Sequence, residues 1–126
     1  MSDDTSSSSN TTNDVWRMVA SALGASGVAL GAIGAHAFKD TLAKRGTLAS
    51  WQTATMYQLF HATALLTMSS SNRFSPLAVK LLSLGTVMFS GSIYCLSLNI
   101  GPKAVLGPTT PLGGMLMIGG WIVAGF

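Results

Sequence analysis

The sequence predicts an all-α membrane protein: four transmembrane helices in a compact bundle, preceded by a disordered polar N-terminal tail. Three observations predict it. Only 9% of the 126 residues are charged and 48% are hydrophobic, where soluble domains carry about 25% charged residues. The charges are spaced so that 21 uncharged residues separate Arg17 from Lys39, 27 separate Arg45 from Arg73, 22 separate Lys80 from Lys103, and 23 follow Lys103. A hydrocarbon core of about 30 Å takes about 20 helical residues at 1.5 Å each. These intervals also lack the charged face that a soluble core helix turns to water; Gly, Ser, Thr and Ala supply most of their relief.

The elements follow in order. Residues 1–14, "MSDDTSSSSNTTND", hold almost nothing to bury, and such a composition does not offset the entropy of ordering. This tail is expected to be disordered, and residues 15–126 to form the transmembrane domain. The first helix is predicted at 15–38. Ala35-His36-Ala37 matches a signal-peptidase pattern, but the apolar stretch before it is longer than a signal core and follows a polar tail, so it is expected to stay. The tail also carries acids and no arginine, unlike a mitochondrial transit peptide.

The second helix is predicted at 48–70, interrupted by Gln52, Gln58 and His61. The third, 76–99, opens with Ser75 as N-cap and Pro76 at the first helical position, where a missing N–H costs nothing. The fourth, 110–126, repeats that device with Thr110 and Pro111. "SSSNRFS" and "NIGPKAVLGP" are turn-rich connectors. Arg17, Arg73 and Lys80 fall on one side of the membrane, and Lys39, Lys44, Arg45 and Lys103 on the other. The first loop, with three basic residues, tips that second side towards the cytosol or matrix.

Several function classes are excluded by composition. A net charge of +3, scattered along the chain, is no nucleic-acid footprint. Cys95 stands alone, so there is no internal disulfide and no cysteine-based metal site. There is no glutamate, no paired carboxylate, no phosphate-cradling loop and no nucleophile with an evident base, so no enzyme is expected. Asp40, the only acid outside the tail, is placed to pair with Lys44 four residues on. No metal or cofactor is expected. His36 and His61 lie on the order of 15 Å apart along the membrane normal in a straight hairpin, while shared ligation needs metal–nitrogen distances of about 2 Å.

Two groups of residues remain. Gly24, Gly27 and Gly31 recur at three- and four-residue spacing on the first helix, and Gly113, Gly114, Gly119 and Gly120 form two pairs on the fourth. Such faces let a neighbouring backbone approach closely, within the bundle or from a second copy. Tyr57, Gln58 and His61 share one side of the second helix, opposite a hydroxyl stripe of Ser83, Thr86, Ser90 and Ser97 on the third. Polar groups in hydrocarbon must be satisfied, so these stripes face each other or water. His36 and Lys39 mark the membrane interface.

"GAIGAHAFKDTL", "WQTATMYQLFHATALL", "FSGSIYCLSL" and "TPLGGMLMIGGWIVAGF" together resemble the transmembrane protein 256 family, with its YgdD-like bacterial members, the domain of unknown function 423. The resemblance covers about residues 18–126. It implies a small multi-pass membrane protein without an established catalytic activity. It singles out Gly34, His36, Lys39, Tyr57, Gln58, His61, Gly91, Tyr94, Pro111, Gly113, Gly114 and Trp121, and assigns them no role. The polar tail points to a eukaryotic member, with the mitochondrial inner membrane, endoplasmic reticulum and plasma membrane open. The expected function is structural or accessory, with the lipid bilayer as partner and a homo-oligomer or larger membrane complex as setting. The alternative is a small transporter or proton-linked channel component using Tyr57, Gln58 and His61.

Overall fold

The computed structural model describes residues 2–126 (side chains from residue 7 onward, apart from residue 9). Among the described residues there are five helices and no strand: α1 Ser2–Ala35, α2 Lys39–Arg45, α3 Leu48–Ser69, α4 Pro76–Ser97 and α5 Lys103–Gly125. The polar segment expected to be a disordered tail is, from Ser2, the N-terminal continuation of α1; Met1 lies outside the described residues. Once a helix is nucleated, each added residue brings one backbone hydrogen bond. The Thr11 and Thr12 hydroxyls donate back to the Ser7 and Ser8 carbonyls, and Asn13 Nδ2 donates to Asn72 Oδ1 at 2.8 Å.

Helix α2 stands where a loop is expected. Its signals are nonetheless in the sequence: Asp40 in the first turn and Lys44 and Arg45 in the last complement the helix dipole. Gly46, at φ 71°, supplies the left-handed residue that ends it, and the fully buried Leu42 anchors it. Helix α4 starts as predicted, with the Ser75 hydroxyl accepting from the Leu77 N–H at 3.2 Å behind Pro76. Helix α5 begins one and a half to two turns before the predicted Thr110, at Lys103, and encloses Pro108 and Pro111. Hydroxyls beside these prolines bond to nearby carbonyls, Thr109 to Val105 at 2.6 Å and Thr110 to Leu106 at 3.4 Å. Such bonds help apolar helices tolerate proline.

Neighbours in sequence are neighbours in space. The most extensive contact is α4 with α5, followed by α1 with α3 and α3 with α4. Helices α3 and α5 flank α4 with little direct contact between them, which leaves a furrow over α4. Glycines set the close approaches. A Cβ at Gly85 would stand 2.7 Å from the Gly113 carbonyl oxygen, and one at Gly113 would stand 2.5 Å from the Phe89 nitrogen. Gly120 lies against Leu82, whereas Gly114 and Gly119 have ordinary clearance. On α1, Gly27 meets Leu59 and Gly31 meets Thr55, at 2.9 and 3.1 Å from a built Cβ, and Gly34 receives the Trp51 indole. Gly24 is looser, 3.8 Å from the Ala62 Cβ.

The apolar core, Ala20, Leu65, Met68, Ala78, Val79, Leu82 and Met117, sits towards the end of the bundle that holds the α3–α4 loop. Elsewhere the interior mixes polar and apolar groups: Gln58, His61, Thr86, Ser90, Ser92 and Ser97 are buried, as are Leu42, Trp51, Ala54 and Ala62. Large apolar side chains face outward on every long helix, including Met18, Phe60, Leu84 and Ile122. By length and composition two helical segments, Asn10–Ala35 and Pro76–Ser97, are apolar enough to cross a membrane.

The glycine geometry orders the cost of substitution. Gly113→Val must displace backbone, and overpacking of this kind costs about 1–3 kcal/mol; Gly114→Val meets only ordinary contacts. Melting in detergent is expected to show Gly113→Val well below wild type and Gly114→Val close to it. Likewise Gly27→Leu and Gly31→Leu are each expected to melt below Gly24→Leu. Equal melting temperatures within either set would refute the close approach.

Candidate functional site

The polar residues of α3 serve two different junctions. Residues 58 and 61 stand about 60° apart round a helix of 3.6 residues per turn, enough for Gln58 to face α1 and α4 while His61 faces α5. Gln58 is 4% exposed. Its Nε2 donates to the Leu23 carbonyl and the Ser26 hydroxyl, both at 2.8 Å, and its Oε1 accepts from the Tyr94 hydroxyl at 2.8 Å. These partners fix the amide orientation, because a carbonyl only accepts and Nε2 only donates. One side chain therefore ties α1, α3 and α4 together.

The cluster extends towards the α2 end. Trp51 Nε1 donates to the Leu30 carbonyl at 2.9 Å, and its ring lies against Tyr94 at 4.7 Å between centroids, with Phe38 edge-on at 6.1 Å. The Thr55 hydroxyl donates to the Trp51 carbonyl within α3, and the Ser90 hydroxyl donates to the Ala54 carbonyl at 2.7 Å, joining α4 to α3. The hydroxyl stripe of α4 is thus only partly spent across the interface. Thr86 bonds within its own helix, and Ser92 pairs with Thr110 of α5. The Ser83 and Ser97 hydroxyls are buried without a hydrogen-bond partner among the described residues.

His61 is 3% exposed and uses both ring nitrogens. Nδ1 lies 2.8 Å from the Tyr57 carbonyl oxygen, and Trp121 Nε1 donates to Nε2 at 3.0 Å. A carbonyl cannot donate and an indole N–H cannot accept, so the ring here is the neutral Nδ1–H tautomer. This bond bridges α3 and α5 across the furrow. Beyond that carbonyl, Tyr57 adds no hydrogen bond: it is 39% exposed, its ring stacks on His61 at 6.0 Å and 12°, and its hydroxyl forms no bond within the described residues.

His36 and Lys39 are exposed at the α1–α2 junction. Asp40 and Lys44 are also exposed and form no pair; among the described residues the only ion pair joins Arg17 to Asp14. Exposed pairs on short helices contribute little. No group of three or more His, Cys, Asp or Glu able to hold a metal occurs among the described residues. Residue-level reasoning missed Trp51, Ser26, Tyr94 and Trp121 as partners, and Gly34 and Gly85 as contact points. The available signal was chemical: an indole or phenol within an apolar segment needs a hydrogen-bond partner.

The Gln58–Tyr94 pair gives a testable coupling. Each partner left alone in the interior loses about 1–3 kcal/mol, whereas removing both leaves fewer groups unpaired. Gln58→Leu and Tyr94→Phe are each expected to lower stability in detergent, and the double variant to lose less than their sum by about 0.5–3 kcal/mol. Strict additivity would show that the bond carries no stability.

Comparison with known proteins places this geometry. The family described as "Protein of unknown function (DUF423)" matches residues 30–114. A UPF0382 membrane protein of Schizosaccharomyces pombe is 37% identical over 112 residues, covering 85% of this chain and 94% of the relative. A UPF0382 membrane protein of Staphylococcus epidermidis is 39% identical over 100 residues, 76% of this chain and 80% of the relative. The UPF0382 inner membrane protein YgdD of Escherichia coli is 39% identical over 100 residues, 75% of this chain and 73% of the relative. No solved structure matches the chain. With its motifs, its helices and these relatives in agreement, the chain belongs to the DUF423 family of membrane proteins.

Proposed function

We propose that the protein is a four-span structural or accessory membrane component that associates with other membrane proteins. The observation that carries this is where its polar groups are spent. Gln58 makes three hydrogen bonds and His61 two, all within the chain. Transport through the same residues requires a wet, polar-lined cavity. The cavity that Tyr57 and His61 border is otherwise walled by Met, Phe, Gly, Ile and Trp residues, and both nitrogens of the neutral His61 ring are already bonded. The outward faces are apolar, as a bilayer demands.

Four spans are supported by length and by packing. Helices α3 and α5 have 22 and 23 residues, roughly 33 Å each and close to the hydrocarbon thickness. They lie along α1 and α4, the two helices whose composition alone suits a membrane. Of the polar residues that dilute α3, Thr55, Gln58 and His61 are buried, while Gln52, Thr53, Thr63 and Thr67 are exposed beside Met56, Phe60 and Leu66. Relatives named as membrane proteins, one of them an inner membrane protein, support placement in a bilayer.

Three measurements bear on this. Protease-protection or glycosylation tags at residue 2 and after Phe126 are expected to report the same side; opposite sides would mean an odd number of spans. Affinity purification in mild detergent with mass spectrometry is expected to recover membrane proteins in constant ratio to this chain. Purification free of any such protein would count against the accessory role.

His61 separates the two functions. His61→Leu leaves the Trp121 N–H unpaired and is expected to cost about 1–3 kcal/mol, while His61→Gln, with a donor and an acceptor, is expected to melt closer to wild type. Liposomes holding the wild-type protein are expected to show no proton flux at pH 6 or pH 8. A flux present in wild type and lost in a stably folded His61→Gln variant would overturn the structural role, because an amide does not titrate near neutral pH.

A further inference from the structure

The furrow over α4 has a polarity that runs along its length. At the end nearest α2 it is a cavity of about 570 Å³ in which the hydroxyls of Thr47, Ser50, Thr53, Ser97 and Thr110 are set among apolar side chains such as Ile93 and Leu96. One to two turns deeper it becomes a cavity of about 460 Å³ walled by Met56, Phe60, Phe89, Met117 and Trp121, with Gly114 at its floor. The two lie end to end: α3 contributes 50 and 53 and then 56 and 60, while α5 contributes 107 and 110 and then 114 and 117. From Thr47 to His61 the furrow extends roughly 20 Å at 1.5 Å per residue.

Charge is concentrated at its polar end. Lys103 lies one helical turn before Gly107, on the same face of α5, and Lys44 and Arg45 lead directly into Thr47; all three are exposed. The N-termini of α3 and α5 both open at this end, adding partial positive charge. The buried Ser97 hydroxyl, 2% exposed as a residue, lacks a partner among the described residues and sits in this wall. Pro111, also in this wall, has no N–H to give the Gly107 carbonyl.

We infer that this furrow is a binding site for one anionic phospholipid of the leaflet on the Lys103 side. The headgroup lies among the hydroxyls under Lys103 and Arg45, and an acyl chain lies in the aromatic- and methionine-walled part. The inference rests on the membrane-embedded, four-span reading of the chain. Size decides between a lipid and a partner helix. At roughly 30 Å³ per small group, the liquid volume of a water, the deep part holds on the order of fifteen methylenes, about one acyl chain. Twenty ångströms of helix about 10 Å across displaces on the order of 1,500 Å³, more than the two parts offer together at about 460 and 570 Å³. Depth and charge agree: a half-bilayer of about 15 Å, about ten helical residues, carries the chain from Thr47 to the level of Tyr57, inside the deeper cavity, and basic pockets between spanning helices suit anionic headgroups.

The test is native mass spectrometry of the full chain released from nanodiscs containing equal parts phosphatidylglycerol and phosphatidylcholine. Wild type is expected to retain one phosphatidylglycerol. Lys103→Gln is expected to lower the anionic preference about five-fold, the effect of one surface cation. Gly114→Leu, whose Cβ has 3.8 Å clearance to Phe89, is expected to keep the wild-type melting temperature and lose the lipid. Lys80→Gln, at the opposite end, is expected to change nothing. All variants carry the terminal topology tags, so failure of the four-span arrangement is read apart from loss of lipid. Equal retention of both lipids by wild type, or unchanged retention in both Lys103→Gln and Gly114→Leu, would overturn the inference. So would crosslinking of Gly114→Cys to a second copy or another protein in place of lipid.

Discussion

Gln58 joins α1, α3 and α4 with a single side chain, and the arrangement of the helices depends on that junction. In an apolar solvent no hydrophobic force draws helices together, so close packing and internal hydrogen bonds must do it. Each interhelical bond contributes only about 0.6 kcal/mol on average. A buried amide left without partners costs several times more. The junction therefore acts as a specifier: arrangements of the helices that strand Gln58 are penalised more than the correct one is favoured.

Helix α5 is held by different means. It meets α4 at backbone distance through Gly85, Gly113 and Gly120, where close van der Waals contact replaces polar bonding. Its link to α3 runs through the Trp121–His61 bond, which spans the furrow instead of closing it. Polar cross-linking on one side of α4 and glycine packing on the other leave a concave, lipid-sized surface between α3 and α5.

Much of this was legible in the sequence, and the limits have physical causes. The charge-free intervals located the long helices because hydrocarbon tolerates few charges at that depth. Gly27, Gly31 and Gly113 stood out because a missing Cβ at helical spacing has few other uses. Helix α2 was readable in retrospect from Asp40, Lys44, Arg45 and Gly46, but a seven-residue helix lies below the length at which periodicity speaks. The sequence puts the start of α5 too late, at Thr110, because Pro111 reads as a first helical position and Pro108 as part of a connector, although neighbouring hydroxyls and an apolar setting let the helix run through both. For the N-terminal segment, composition speaks only of what a chain can bury and not of a helix extending from its neighbour.

The sequence by itself determined the class: an all-α chain with long charge-free intervals and a few polar groups set within them. It also determined which residues need partners, since an amide, an imidazole and an indole in hydrocarbon cannot remain unpaired. Only the tertiary structure decided who those partners are. Tyr57, Gln58 and His61 share one side of α3 in any helical projection, yet Gln58 bonds to Leu23, Ser26 and Tyr94, His61 bonds to Trp121, and Tyr57 turns outward. Sixty degrees of helix rotation separates those fates, and that angle acquires meaning only once the positions of α1, α4 and α5 around α3 are fixed.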